Sequence, residues 1–277
     1  MKKIIKKIIN LLFNNNEKKD LFLRRVFYAF NRDPLIFAYN NIGILNYKTN
    51  RDSGEDYFIE DFLPKFLNKR NNHVFFDVGA NVGEYSLTLS KNFTKANIYS
   101  FEPNINTFNV LKKNVGSTSS ITPTNIGMSD YKKDTKIYTY TTDSISGHAS
   151  MYKEVFSSMH KRSNLQSVDI KLETIDDFCL ENKIEIIDFL KIDTEGHELD
   201  VLKGAKNMLN QGNIKIIQFE FNEMNVISKV FLKDFYNILK SYKLYRLDTS
   251  KLIPLFEYNS INEIFKFQNF IAIHKSA

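Results

Sequence analysis

Between His73 and His274 the sequence repeats one pattern: a short, almost continuously apolar stretch, a turn, then a segment of helical period. Apolar stretches read as strands lie at 73–78 (HVFFDV), 97–102 (NIYSFE), 120–126 (SITPTNI), 135–140 (TKIYTY), 168–172 (VDIKL), 186–193 (IIDFLKID), 214–221 (IKIIQFEF) and 268–274 (QNFIAIH). Helical spacing fits 84–92, 105–115, 174–182, 198–211 and 228–242. A strand without polar alternation is buried on both faces, and helices between strands supply the cover. The pattern predicts an α/β domain built on a mainly parallel sheet. Ligands of such sheets bind beyond the carboxyl ends of the strands, so the polar residues there carry the chemistry.

No repeat or Pro/Gly-rich linker divides the chain after residue 50. Residues 51–277 therefore read as one domain and residues 1–50 as an N-terminal extension. At the start of the domain Ser53 and Asp56 resemble a capping box, ahead of an apolar helix face formed by Phe58, Ile59, Phe62, Leu63, Phe66 and Leu67. The aromatic stretch 21–43 is helix-like up to Pro34 and is expected to form a lid or a contact with a second copy in a homo-oligomer. A lone cysteine, Cys179, permits no internal disulfide, has no partners for a zinc set, and reads as a buried thiol.

Charge is distributed unevenly. Residues 1–25 hold eight Lys or Arg and two acids, which accounts for the whole net charge of +6. The remainder is neutral, which argues against the spread basic groove of a nucleic-acid binder. Within residues 1–13, Ile4, Ile5, Ile8, Ile9, Leu12 and Phe13 fall on one side of a helical wheel and Lys2, Lys3, Lys6 and Lys7 on the other. The lysines interrupt the apolar run, which excludes a signal-peptide core or a spanning helix. Two readings stay open: a helix lying on an anionic membrane surface, or one packed on the domain or on a partner subunit. The first would make the protein cytoplasmic and peripheral at the inner membrane face.

The turn after the first strand, Gly79-Ala80-Asn81-Val82-Gly83-Glu84, suits a close backbone approach to a charged ligand. A dinucleotide turn wants glycine where Asn81 and Glu84 stand, and Glu84 puts a carboxylate where two phosphates would lie. No lysine follows Gly83, so a triphosphate loop is excluded too. S-adenosylmethionine has no phosphate; it carries a sulfonium, an ammonium and a ribose. Asp77 and Glu102, closing the first two strands, fall where those groups need acids, and Asn81 tolerates the left-handed backbone better than most residues.

At these residues the sequence resembles the FkbM-type S-adenosylmethionine-dependent methyltransferases. The resemblance is carried by FDVGANVGEYS, SFEPN, NIGMSD and DFLKIDTEGHELDVLKGA and spans roughly residues 72–275. It implies a class I methyltransferase Rossmann-like fold: a seven-stranded, mostly parallel sheet with an antiparallel last strand. It also implies O-methylation, often of a sugar or glycoconjugate. Carried over by position, Asp77, Gly79, Ala80, Asn81 and Gly83 would surround the methionine part, Glu102 would hold the ribose, and Pro103, Asn104, Gly127 and Met128 would border the adenine.

The acceptor's proton needs a base or a metal ion, because an alcohol is a weak nucleophile. Candidate catalytic residues are Asp193, at a strand's carboxyl end, His197 in the following turn, His148 in the polar stretch 141–164, and Glu220 at the end of 214–221. Glu195 and Glu198 are expected to favour the positive end of a helix dipole. Glu220 and Glu223 with Asp193 could gather round a divalent metal, but no histidine lies near them in sequence, so the metal-free reading is preferred. The expected function is O-methylation of a sugar hydroxyl in a surface glycan or its precursor, with a polyketide acceptor or a non-catalytic binding subunit as alternatives.

Overall fold

The computed structural model describes residues 15–67, 72–140, 151 and 165–277. Residues 1–13 and the amphipathic pattern read there lie outside the described residues, as does His148. The main sheet has eight strands in the order β10-β9-β11-β8-β7-β1-β2-β3. These are β1 (Val74–Val78), β2 (Asn97–Phe101), β3 (Ile121–Thr124), β7 (Ile187–Ile192), β8 (Ile214–Phe221), β9 (Tyr242–Asp248), β10 (Lys251–Pro254) and β11 (Gln268–His274). β3, β2, β1, β7 and β8 pair in parallel, and β11 enters antiparallel between β8 and β9. The architecture is the α/β fold expected, with its antiparallel last strand. An eighth strand is added because β10 turns back onto β9 as a short edge hairpin.

Alternation along β1 sends Phe75 and Phe76 to opposite faces, and each nucleates a core. Phe76, Val78, Phe101, Leu190 and Phe219 pack on one side. Phe75, Ile98, Phe189 and Ile216 pack on the other, with Phe58 and Leu63 from the segment before the sheet. β7 is buried at all six positions.

Two of the expected strands belong elsewhere. Residues 135–140 and 168–172 lie in β5 (Lys133–Tyr140) and β6 (Leu165–Glu173), which with β4 (Gly127–Met128) form a separate three-stranded sheet. Their alternation explains the move: Ile137, Ile170 and Leu172 are buried while Lys136, Asp169 and Lys171 face solvent, the mark of a sheet with one wet face. β9 escapes the sequence pattern because Arg246 interrupts its apolar run. That arginine is buried, with Nε donating to Gln268 Oε1 at 2.7 Å.

The helices also depart from expectation in places. The segment 198–211 breaks into Glu198–Lys203 and Lys206–Asn210 at Gly204 and Ala205, whose ψ of −7° and 17° leave the helical range, and a Cβ on Gly204 would stand 1.9 Å from the carbonyl oxygen of Ser129. Only glycine allows that approach. The helix of 228–242 shortens to Leu232–Ile238. Thr49 rather than Ser53 caps the first turn before the domain, its Oγ1 accepting from Asp52 N at 3.1 Å. The extension is helical at Asn16–Ala29 and Pro34–Asn40, and then joins the body: Ile44 is fully buried and Leu45 N donates to Phe267 O at 2.9 Å. Cys179 is buried, and burial pushes its thiol up to about 12, so it stays protonated.

Gly204→Ala should lower the unfolding free energy by about 1–3 kcal/mol through overpacking against Ser129. Urea unfolding reads the loss; an unchanged midpoint would show that the two segments move apart freely.

Candidate active site

The turn after β1 is held from three sides. Gly79 N and Ala80 N donate to Phe101 O at 3.0 and 2.9 Å, and Asp193 N donates to Val78 O at 2.9 Å. Gly79 has φ +81°, and a Cβ there would meet Asp193 O at 1.8 Å, so the chain can pass only without a side chain. Asn81 adopts φ 47°, the left-handed conformation expected of it. Glu102, at the end of β2, stitches this turn to the next: Oε2 accepts from Asn81 N at 3.1 Å and Oε1 from Asn104 N at 2.9 Å. Burial nevertheless raises its carboxyl to about 7.

Beneath the turn lies a buried charged network. Asp77 is fully buried; its Oδ2 accepts from Ser86 Oγ at 2.6 Å, and Ser86 Oγ in turn lies 2.6 Å from Ser100 Oγ. The Lys191 ammonium, also buried, stands 3.0 Å from Asp193 Oδ2, 3.9 Å from Asp77 Oδ1 and 4.8 Å from the Tyr85 ring centroid. Tyr85 donates to Gln218 Oε1 at 2.7 Å, and Gln218 donates to Glu55 Oε1 at 2.9 Å. Burial lifts the Asp77 and Glu55 carboxyls and the nearby lysine opposes it. Desolvation works against the charged form of Lys191, but Asp193, Asp77 and Glu55 outweigh it, so the ammonium persists.

The loop after β7 is built by one carboxylate. Glu198 Oε1 accepts from Thr194 N at 2.9 Å, Thr194 Oγ1 at 3.1 Å and Gly196 N at 3.0 Å, closing residues 194–198. Glu195 at φ 54° and Gly196 at φ 100° give the reversal. Glu198 thus fastens the loop rather than simply favouring a helix dipole; burial pushes it to about 7. His197 is buried between Ser129 Oγ, 3.0 Å from Nε2, and Asp200 Oδ2, 3.2 Å from Nδ1. Desolvation keeps it below its ordinary value, hence neutral.

A cavity of about 620 Å³, within the range of small-molecule sites, opens where these turns meet. Of the residues expected from sequence, Gly79, Asn81, Glu102, Pro103, Gly127, Met128, Asp193, His197 and Glu220 line it. Asp77, Ala80, Gly83 and Asn104 do not. Asp77 supports the turn from below instead of facing a ligand, since its side chain is sealed by Ser86 and the sheet. Ala80 is buried under the turn, Gly83 packs on Leu111, and Asn104 caps the helix Ile105–Val115 through Asn106 N. The sequence reading missed Leu45 and Tyr47 from the extension and Lys266 and Phe267 before β11. Tyr47 and Phe267 meet edge to face at 6.0 Å. No local motif marks them, because only the folded chain brings its two ends together.

Among the described residues the lining is acidic: Glu102, Asp193, Glu195, Glu220 and Glu223 against one lysine, Lys266. Glu220 is half-buried, accepts from Asn222 Nδ2, and is raised well above the usual carboxylate range by burial and by Asp193, Glu195 and Glu198. Asn81 Oδ1 is buried with no hydrogen-bond partner. Among the described residues no three His, Cys, Asp or Glu side chains converge as a metal site. The arrangement suits a ligand with positive charge and hydroxyl donors.

Lys191→Met leaves Asp77 and Asp193 without their cation and should cost about 3–5 kcal/mol in urea unfolding; a loss under about 1 kcal/mol would mean the pair behaves as an exposed one. Glu198 predicts a pH effect. Its folded value of about 7 lies above the ordinary 4.5, so its stabilising contribution is present below pH 4.5 and is lost as pH rises through 7. Glu198→Gln keeps the Oε1 acceptor and should flatten that slope, gaining on the natural protein by on the order of a few kcal/mol at alkaline pH. Parallel slopes in the two proteins would contradict this.

The sequence matches the family described as the methyltransferase FkbM domain over residues 77–246. It is 32% identical over 146 residues to the hexuronic acid methyltransferase AglP of Haloferax volcanii, covering 52% of this chain and 55% of that protein. It is 27% identical over 170 residues to methyltransferase sdnD of Sordaria araneosa, covering 52% of this chain and 65% of the relative. The chain therefore spans less than two thirds of either relative. A crystal structure of an FkbM methyltransferase from Methylobacillus flagellatus aligns with TM-score 0.46 and 15% identity over 80% of this chain and 50% of that one. With more than half of its length matched, from the Asp77 end of β1 past the Asp193 loop to β9, the chain belongs to the FkbM methyltransferase family.

Proposed function

We propose that this protein transfers a methyl group from S-adenosylmethionine to a sugar hydroxyl of a glycan or its precursor. The observation that carries the reading is the acid-lined cavity at the carboxyl ends of β1, β2, β7 and β8, entered by a glycine turn. Acids outnumber bases among the described lining residues, which fits a sulfonium and an ammonium better than phosphates. Glu102 has used one position on each oxygen for backbone N–H groups, which leaves carboxylate lone pairs for ribose hydroxyls. The orphan Asn81 Oδ1 offers an acceptor to the ammonium, and Pro103, Gly127 and Met128 offer an apolar slot for a planar base.

When bound, the cofactor supplies an electrophilic methyl on sulfur. The protein's part is to hold the acceptor oxygen in line, exclude water and take one proton. Glu220, on the cavity wall at the end of β8, suits the last role in its ionised form; burial and its carboxylate neighbours favour the protonated form, so a bound cation beside it is what would free the carboxylate to act. His197 is buried against Ser129 and Asp200 and serves the loop. A sugar-acid acceptor draws support from the relative AglP, named for hexuronic acid methylation, and from Lys266 on the cavity wall, which can pair with a carboxylate.

Isothermal titration should detect binding of S-adenosylmethionine and S-adenosylhomocysteine, and its absence would overturn the reading. Glu102→Gln should weaken binding by about tenfold or more, the cost of a charge-assisted bond. Glu220→Gln should lower kcat by about 10²–10⁴-fold with cofactor affinity little changed. Labelled methyl transfer to a hexuronic-acid oligosaccharide reads this.

A further inference from the structure

Among the described residues the extension is buried only where it joins the body, at Gly43 and Ile44. Its two helices, Asn16–Ala29 and Pro34–Asn40, contain no buried residue, although apolar side chains crowd them. Leu23 is 51% exposed, Tyr28 90%, Phe30 74% and Leu35 55%. Besides packing Phe27 on Phe37, edge to face at 5.3 Å, the helices leave an apolar and aromatic surface to solvent. Isolated helices this short are marginal in water, so such a surface calls for a partner.

Charge identifies the partner. Residues 16–40 carry Lys18, Lys19, Arg24, Arg25 and Arg32 against Glu17, Asp20 and Asp33, a net charge of +2, and the four lysines of residues 1–13 bring the first forty residues to +6, the whole net charge of the protein, while residues 41–277 are balanced. Arg24, Arg25 and Arg32 are exposed among the apolar residues. A two-fold contact with a second copy would set this positive face against itself, which repels. An anionic bilayer presents the opposite sign, takes apolar side chains into its acyl boundary and favours aromatic rings at the headgroup level.

We propose that residues 16–40 form a docking surface for an anionic lipid membrane, lying on it without crossing. Among the described residues no helix is long and apolar enough to span one. Five residues after this surface ends in sequence comes Leu45, which with Tyr47 lines the cavity. The inference stands on the exposed helices and their charge, independently of methyl transfer.

The test is co-sedimentation of the full chain with phosphatidylglycerol/phosphatidylcholine vesicles and with pure phosphatidylcholine vesicles. Binding should favour the anionic vesicles at least about tenfold and fall as salt rises from about 0.1 M to about 1 M, where the screening length shortens from about 10 to about 3 Å. The variant Leu23→Ser/Phe30→Ser/Leu35→Ser changes exposed side chains only. It should keep its melting temperature and its S-adenosylhomocysteine affinity, and lose at least about tenfold in partitioning. Equal binding to both vesicle types, or an unimpaired variant, overturns the proposal. So does a dimer in light scattering that the variant converts to monomer, which would assign the surface to a second copy.

Discussion

The buried ammonium of Lys191 holds together the strand ends on which the site is built. Lys191 projects from β7 among Asp77, Asp193 and Glu55, beneath the ring of Tyr85. It offsets the repulsion between the carboxylates of Asp77 and Asp193 at the ends of two adjacent strands, one fully buried and one opening on the cavity. A buried ion pair is rarely a net source of stability. Its value here is positional: it fixes Asp193 at the cavity and Asp77 under the turn, and through Tyr85 and Gln218 it ties in the segment before the sheet.

That arrangement accounts for which parts of the molecule were legible in the sequence. β1, β2, β7 and β8 were readable because strands covered on both faces must be apolar throughout. The Gly79 and Asn81 turn was readable because its backbone conformation narrows the residues allowed. The role of Asp77 was not, since an acid at a strand end looks the same whether it faces a ligand or a buried lysine. β9 was hidden by an arginine that only a folded partner, Gln268, makes tolerable. In sequence β5 and β6 read like strands of the main sheet, although the alternation in β6 marks a sheet with one wet face once burial is known, and the two-residue β4 is too short to leave a pattern.

The site shows the same division. The residues expected to surround the cofactor form two groups, one lining the cavity and one holding that lining in place, and sequence spacing does not separate them. Glu198 belongs to the second group more firmly than a dipole argument suggested, because three hydrogen bonds to one oxygen shape the loop that presents Asp193 and His197.

The hydrogen bond from Leu45 N to Phe267 O joins the two ends of the domain at the rim of the cavity. Tyr47 and Phe267, on either side of that clasp, belong to no strand of the main sheet and to none of the turns that hold the glycine loop. The rim and the glycine turn are thus built by separate parts of the chain. Under the proposed function, a substitution at Tyr47 or Phe267 would reshape the mouth of the cavity without touching the hydrogen bonds that hold the turn.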